Sequence, residues 1–189
     1  MLPILLLVQV VANSELGYRM TLPDEFVRIT EFIPFPGKDI VDCWGGDASG
    51  GGHLILCVER MRTVLGRERL KPADLSPGSE LLTVRWQGFD VDAIRTDTVQ
   101  SGAPIVVYRA QVPLRREAMQ VIVAAPRAAT AQAQATLTTV LGSLKGESNW
   151  PTSEQRAERS GSFVGWIVGI AIVLIVVRIV VTRRRARAT

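Results

Sequence analysis

The sequence predicts an α+β domain, an antiparallel β-sheet flanked by helices, followed by one C-terminal transmembrane helix. Three observations carry this. Short apolar-alternating segments recur between Gly- and Pro-rich breaks from residue 18 to 124. One helical stripe follows over residues 128–145. A run with a single charge then fills residues 163–182.

The chain has 189 residues, 47% hydrophobic and 21% charged. That is the composition of a folded protein, with room for one ordinary domain and appendages. The mean hydropathy of +0.20 is high for a soluble domain and asks for a membrane segment.

Residues 1–14 open with MLPILLLVQVVA, too short to span a bilayer but suited to the apolar core of an export signal. Ala12, with Val10 two residues before it, offers a weak cleavage site. No Lys or Arg precedes the run, which departs from the usual signal. The competing reading is a buried first strand of the domain.

The domain is expected over residues 15–146. Residues 18–23 and 26–32 read as an opening pair of strands. Residues 39–44 and 53–60 read as strands around the flexible GGDASGGG. Residues 61–80 are polar, with room for a short helix before Pro72. Residues 81–86, 89–96, 105–112 and 119–124 complete the strands. In the second of these, Phe89, Val91 and Ala93 share one face, and Asp90, Asp92 and Ile94 the other. Leu137, Val140, Leu141 and Leu144 then recur at helical spacing, one stripe to pack on a sheet. Gly146 is the expected C-cap. Residues 147–160 form a polar linker.

Residues 161–182 are the expected membrane helix, since about 20 apolar residues span a bilayer core. Residues 183–189 form a basic tail. Residues 1–160 carry 17 basic and 18 acidic side chains, residues 161–189 five arginines and no acid. The formal charge of +4 therefore belongs to the tail, and nucleic acid is not an expected partner. Arg183, Arg184, Arg185 and Arg187 place the C-terminus in the cytoplasm by the positive-inside rule. Arg178, about one turn from that end, reaches the headgroups by its long stem. Trp166 suits the opposite interface. Gly161, Gly165 and Gly169 share one helix face and would let a second helix approach, giving self-association or a protein partner.

Candidate chemistry is thin. Cys43 and Cys57 are symmetric about Gly50, so a hairpin sets them opposite one another within disulfide reach. Two buried thiols are the alternative. His53 with either cysteine would make a nucleophile only in a reduced state with a third orienting group, and a loop role is expected instead. Asp90 and Asp92 are expected on a solvated strand face rather than as an acid–base pair or cation site. Arg60, Arg62, Arg67, Arg69 and Lys71 form a basic cluster, read as a solvated face, with an acidic partner or lipid headgroups as the alternative. The sequence has no GxSxG, HExxH, Walker loop or dinucleotide fingerprint. No enzyme, cofactor or metal is expected.

GYRMTLPDEF and the closing ATLTTVLGSLKG resemble the opening strand and final helix of the PsbP-like α/β/α sandwich, the fold of a photosystem II extrinsic subunit. GGGHLILCVERM, LLTVRWQGFDVDAIR, QVPLRREAMQVIVAAP and VLGSLKGESNW resemble a family of bacterial single-pass membrane proteins over roughly residues 17–182. The resemblance implies a domain held outside a C-terminal anchor, with residues 15–160 periplasmic or extracellular at the inner membrane. Its motifs name no chemistry, and the functions of the fold's relatives do not transfer by fold alone. The expected function is a tethered interaction or assembly module. The alternative is a ligand- or lipid-binding domain whose cleft is lined by Trp44, Trp86, Trp150 and Phe89. A third reading is a hydrolytic enzyme, which would need a pocket joining His53 to an acid and a serine.

Overall fold

The computed structural model describes residues 9–30, 35 and 38–151. Ten strands and one α-helix are assigned among them. The strands are β1 (Gln9–Asn13), β2 (Tyr18–Leu22), β3 (Val27–Arg28), β4 (Ile40–Asp47), β5 (His53–Arg60), β6 (Ser79–Trp86), β7 (Phe89–Gln100), β8 (Ala103–Val112), β9 (Met119–Pro126) and β10 (Lys145–Gly146). The helix α1 spans Thr130–Ser143. A seven-stranded sheet runs in the order β3-β4-β5-β9-β8-β7-β6, and a small sheet in the order β1-β2-β10. Every pairing is antiparallel. The α+β reading is thus met, with one α-helix rather than several among the described residues.

Turn chemistry sets the register. Gln87-Gly88 and Ser101-Gly102 each place two consecutive residues at positive φ, the requirement of a two-residue hairpin turn. They close the pairs Trp86↔Phe89 and Gln100↔Ala103. Gly50, Gly51 and Gly52, also at positive φ, return the chain from β4 to β5. The result pairs Cys43 with Cys57 and Asp47 with His53, the symmetry about Gly50 seen in the sequence.

One face of the large sheet holds the main core. Leu56, Val58, Val91, Ala93, Val106, Tyr108, Val121 and Val123 lie there, packed with Leu137, Val140 and Leu141 of α1 and Met20 and Leu22 of β2. Fully burying such side chains contributes roughly 1.5–3 kcal/mol each. The opposite face holds a smaller cluster of Cys43, Cys57, Val107, Ile122 and Ala124, with Ile29, Phe35, Ile40, Ile55 and Ile105 against it. β9 lies between β5 and β8 and is buried on both faces, which explains the apolar run of residues 121–126.

Several boundaries move. The folded unit takes in Gln9–Asn13, ahead of the start expected at residue 15, because these residues pair with Tyr18–Leu22. Cleavage after Ala12 would sever that strand. The strand expected over 26–32 is described only at Val27–Arg28. Gly146 is not a helix cap. The helix ends at Ser143 with Leu144 extended, and Gly146 pairs with Tyr18 in β10.

Candidate functional site

Asp42 is the hub of the most connected polar cluster. β4 alternates so that Asp42 points the same way as the buried Trp44. Its side chain is 10% exposed. One carboxylate oxygen accepts from the Tyr18 hydroxyl at 2.6 Å and from Asn13 Nδ2 at 2.8 Å. The other accepts from an Arg28 guanidinium nitrogen at 2.6 Å. Burial first, then the bond to Asp42, pushes the Tyr18 phenol well above its ordinary pKa. Asn13 Oδ1 also accepts from the backbone N–H of Glu15 and Leu16, an Asx turn that fixes the β1–β2 connection.

Beside this hub lies an open cup of about 520 Å³, whose lining includes Val11, Asn13, Glu15, Arg28, Asp42 and Trp44. Its charged groups are already engaged. Arg28 binds Asp42, and Glu15 binds Arg60. The arrangement joins the small sheet to β3 and β4. Each of Asp42's oxygens is held by a donor of the same chain.

Cys43 and Cys57 are joined in a disulfide with Cα atoms 4.1 Å apart, close to the spacing of directly opposed residues in a non-hydrogen-bonded antiparallel pair. Both lie in the smaller cluster, 5% and 0% exposed. The bond leaves no thiol for His53, which is exposed at the start of β5. The disulfide therefore holds β4 to β5 beneath Ile29 and Phe35.

The basic cluster is largely neutralised from within. Arg60 pairs with Glu15 and Glu117, Arg62 with Asp39, and Arg69 with Asp92. The Arg67 guanidinium lies 5.6 Å from the Phe89 ring and 5.7 Å from Trp150, a cation–π arrangement. Asp90 pairs with Arg85. Asp92 accepts from Arg69 and from the backbone N–H of Leu70. These two aspartates share a face, but only Asp90 is solvated there. Asp92 is buried under Arg69 and Leu70, contrary to the expectation for both, and each is committed to a separate arginine.

Of the four aromatic residues expected around a cleft, Trp86, Phe89 and Trp150 form one row of ring contacts, packed against the core rather than around an opening. Trp44 and Trp86 are core residues, 2% and 0% exposed. Trp86 Nε1 donates to the Leu144 carbonyl at 3.1 Å, at the end of α1. Phe89 lies 6.0 Å from the Trp86 ring and meets Trp150 edge to face, with centroids 5.8 Å apart. Core packing accounts for the first pair and the anchoring of segment 147–150 for the second.

Sequence reasoning missed the Asp42 hub, though a signal was present: an acid two residues before a buried tryptophan in one strand. It also missed Glu59 and Gln120, paired across β5 and β9 and buried. Lys38 binds one Glu59 oxygen at 3.0 Å. Gly161, Gly165, Gly169, Trp166, Arg178, Arg183, Arg184, Arg185 and Arg187 lie outside the described residues. Among the described residues, no helix is long and apolar enough to cross a membrane, and no group of three or more His, Cys, Asp or Glu could hold a metal.

No protein-family model and no curated protein matches the chain. Among solved structures it is similar to a Bacteroides thetaiotaomicron protein, at 12% identity and a TM-score of 0.44, over 69% of this chain and 45% of that one. The chain thus spans less than half the length of that protein. It is also similar to LpqN of Mycobacterium tuberculosis, a protein involved in cell envelope biogenesis. That match has 13% identity and a TM-score of 0.38, over 73% of this chain and 89% of LpqN.

Proposed function

We propose that the chain is a membrane-tethered extracytoplasmic interaction or assembly module that catalyses no reaction. In this reading the domain is a PsbP-like sandwich carried outside the bacterial inner membrane. Residues 161–182 form its anchor, the C-terminal arginines stay in the cytoplasm, and β1 remains part of the exported domain.

The observation that carries the reading is the Cys43–Cys57 bond. Opposed, buried cysteines bonded across two strands support an oxidising compartment, where such bonds persist. The engagement of Asp42 by Asn13, Tyr18 and Arg28 supports the non-catalytic part. The alternative of a ligand- or lipid-binding cleft gains nothing from Trp44 and Trp86, which are packed in the core.

The test is thiol labelling with a mass-shifting maleimide in intact and lysed cells. Cys43 and Cys57 should react only after reduction, and a cytoplasm-dependent fluorescent reporter fused after Thr189 should fluoresce. Labelling without reductant, seen only after lysis, would remove the extracytoplasmic assignment. Hydrolytic turnover by the purified chain, lost on Asp42→Asn, would remove the non-catalytic one.

A further inference from the structure

The large sheet ends in β6, and its outer edge has no partner strand among the described residues. Because Gln87-Gly88 is a two-residue turn, Trp86 and Phe89 exchange hydrogen bonds, and the pairs alternate from there. Trp86, Val84, Leu82 and Glu80 thus bond to β7. Leu81, Thr83 and Arg85 turn their N–H and C=O groups to the open edge. This edge is eight residues long, with no proline, lysine or bulge to block it, and such an edge is a template for another strand. Leu81, Leu82 and Val84 are each only half-buried along it.

The layer beside the edge is unusual as well. α1 contacts β6 and contains no charged residue in its fourteen positions. Its solvent side is Ala131, Gln134, Ala135, Thr138, Thr139 and Gly142.

We propose that a second copy of this chain pairs with the β6 edge, antiparallel about a two-fold axis through Thr83, extending the sheet across both copies. This register sets Thr83 opposite Thr83, Leu81 opposite Arg85, Leu82 opposite Val84 and Glu80 opposite Trp86. Within the paired strands no like charges oppose one another, and the Arg69 that donates to Thr83 Oγ1 at 2.9 Å in each copy is neutralised by its own Asp92. Leu82 and Val84 of both copies meet on the helix-covered face, and a two-fold axis normal to the sheet keeps both uncharged helices on that same face. Self-pairing is favoured over a foreign strand because edge and helix face are each compatible with their own copy.

The test uses the full chain in mild detergent, with light scattering after size exclusion. The wild type should show twice the 20.6 kDa of one chain. Thr83→Cys should form a reducible cross-linked dimer on oxidation, since hydrogen-bonded pairs sit about 5.5 Å apart at Cα, within disulfide range. Thr98→Cys, an exposed position on β7, should not. Thr83→Pro should halve the mass with circular dichroism unchanged, because the lost N–H faces the open edge. Gly165→Leu separates this contact from packing of the expected membrane helices, and should leave the Thr83 cross-link intact. A monomeric wild type, an uncross-linked Thr83→Cys, a dimeric Thr83→Pro, or a cross-link lost in Gly165→Leu would each overturn the proposal. Should Thr83→Pro fail to fold, the cysteine result decides.

Discussion

The Tyr18 hydroxyl donates to Asp42 at 2.6 Å, across the join between the small sheet and the large one. The two residues lie 24 positions apart. Tyr18 belongs to β2 at the centre of its sheet, and Asp42 to the second strand of the other. Asn13 and Arg28 reach the same carboxylate, so one acid ties β1, β2, β3 and β4 together.

Removing that acid should loosen the N-terminal third. Asp42→Ala strands a buried phenol and the amide of Asn13, and should cost roughly 2–3 kcal/mol in urea unfolding. The Arg28 bond adds little to this, because its guanidinium is mostly exposed and screened. Asp42→Asn keeps the shape and should cost less. Equal midpoints for Asp42→Ala and the wild type would refute the latch.

The same pair predicts an alkaline weakness. The folded Tyr18 pKa is raised above the unfolded value of 10.0, so the folded state keeps a proton that the unfolded state gives up. The associated stability is complete below about pH 10 and is lost as pH rises past it. Urea midpoints should therefore fall between about pH 9 and pH 11, and fall less in Tyr18→Phe. Tyr108, also raised by burial, accounts for part of the remaining slope. Identical slopes in both proteins would contradict the assignment.

The disulfide closes a loop with a sequence separation of 14. Replacing both cysteines by alanine should cost about 3 kcal/mol by the chain-entropy model. Reductant should then shift the wild-type midpoint and leave the double variant unmoved. Cys57→Ser should be worse than Cys57→Ala, since it buries a hydroxyl at a fully enclosed position.

Two glycines should respond in opposite directions to alanine. At Gly146 a Cβ would meet Leu114 Cδ2 at 2.6 Å and the Gly17 carbonyl at 3.3 Å. Leu114 is buried, so Gly146→Ala should destabilise by roughly 1–3 kcal/mol. Gly142, inside α1, meets nothing within 4 Å, and Gly142→Ala should stabilise by roughly 0.5–1 kcal/mol. Thermal melts of the two variants check both signs.

The elements most readable from sequence were those fixed by local rules. The stripe of Leu137, Val140, Leu141 and Leu144 is buried as its spacing requires. The Cys43–Cys57 pairing followed from glycine-rich turn symmetry, and the two faces of Phe89–Ile94 from strand alternation. The Asp42 hub was hidden because its partners come from β1, β2 and β3, and no local pattern links them. Gly146 misled for a related reason. A glycine after a helix signals a cap, yet here close approach of Leu114, not backbone conformation, excludes a side chain. The basic cluster gave the wrong impression of free charge, since its acids, Glu15, Asp39 and Asp92, are supplied from distant strands and loops.

The chain end of the domain is also well secured. Asn149 Nδ2 and Trp150 Nε1 both donate to the Leu65 carbonyl, Asn149 N and Ser148 Oγ bond to Pro113, and Arg115 N donates to Glu147. A pull applied through the residues that follow is therefore delivered to two separate loops at once. Under mechanical tension this last segment should hold as a clasp on the two loops.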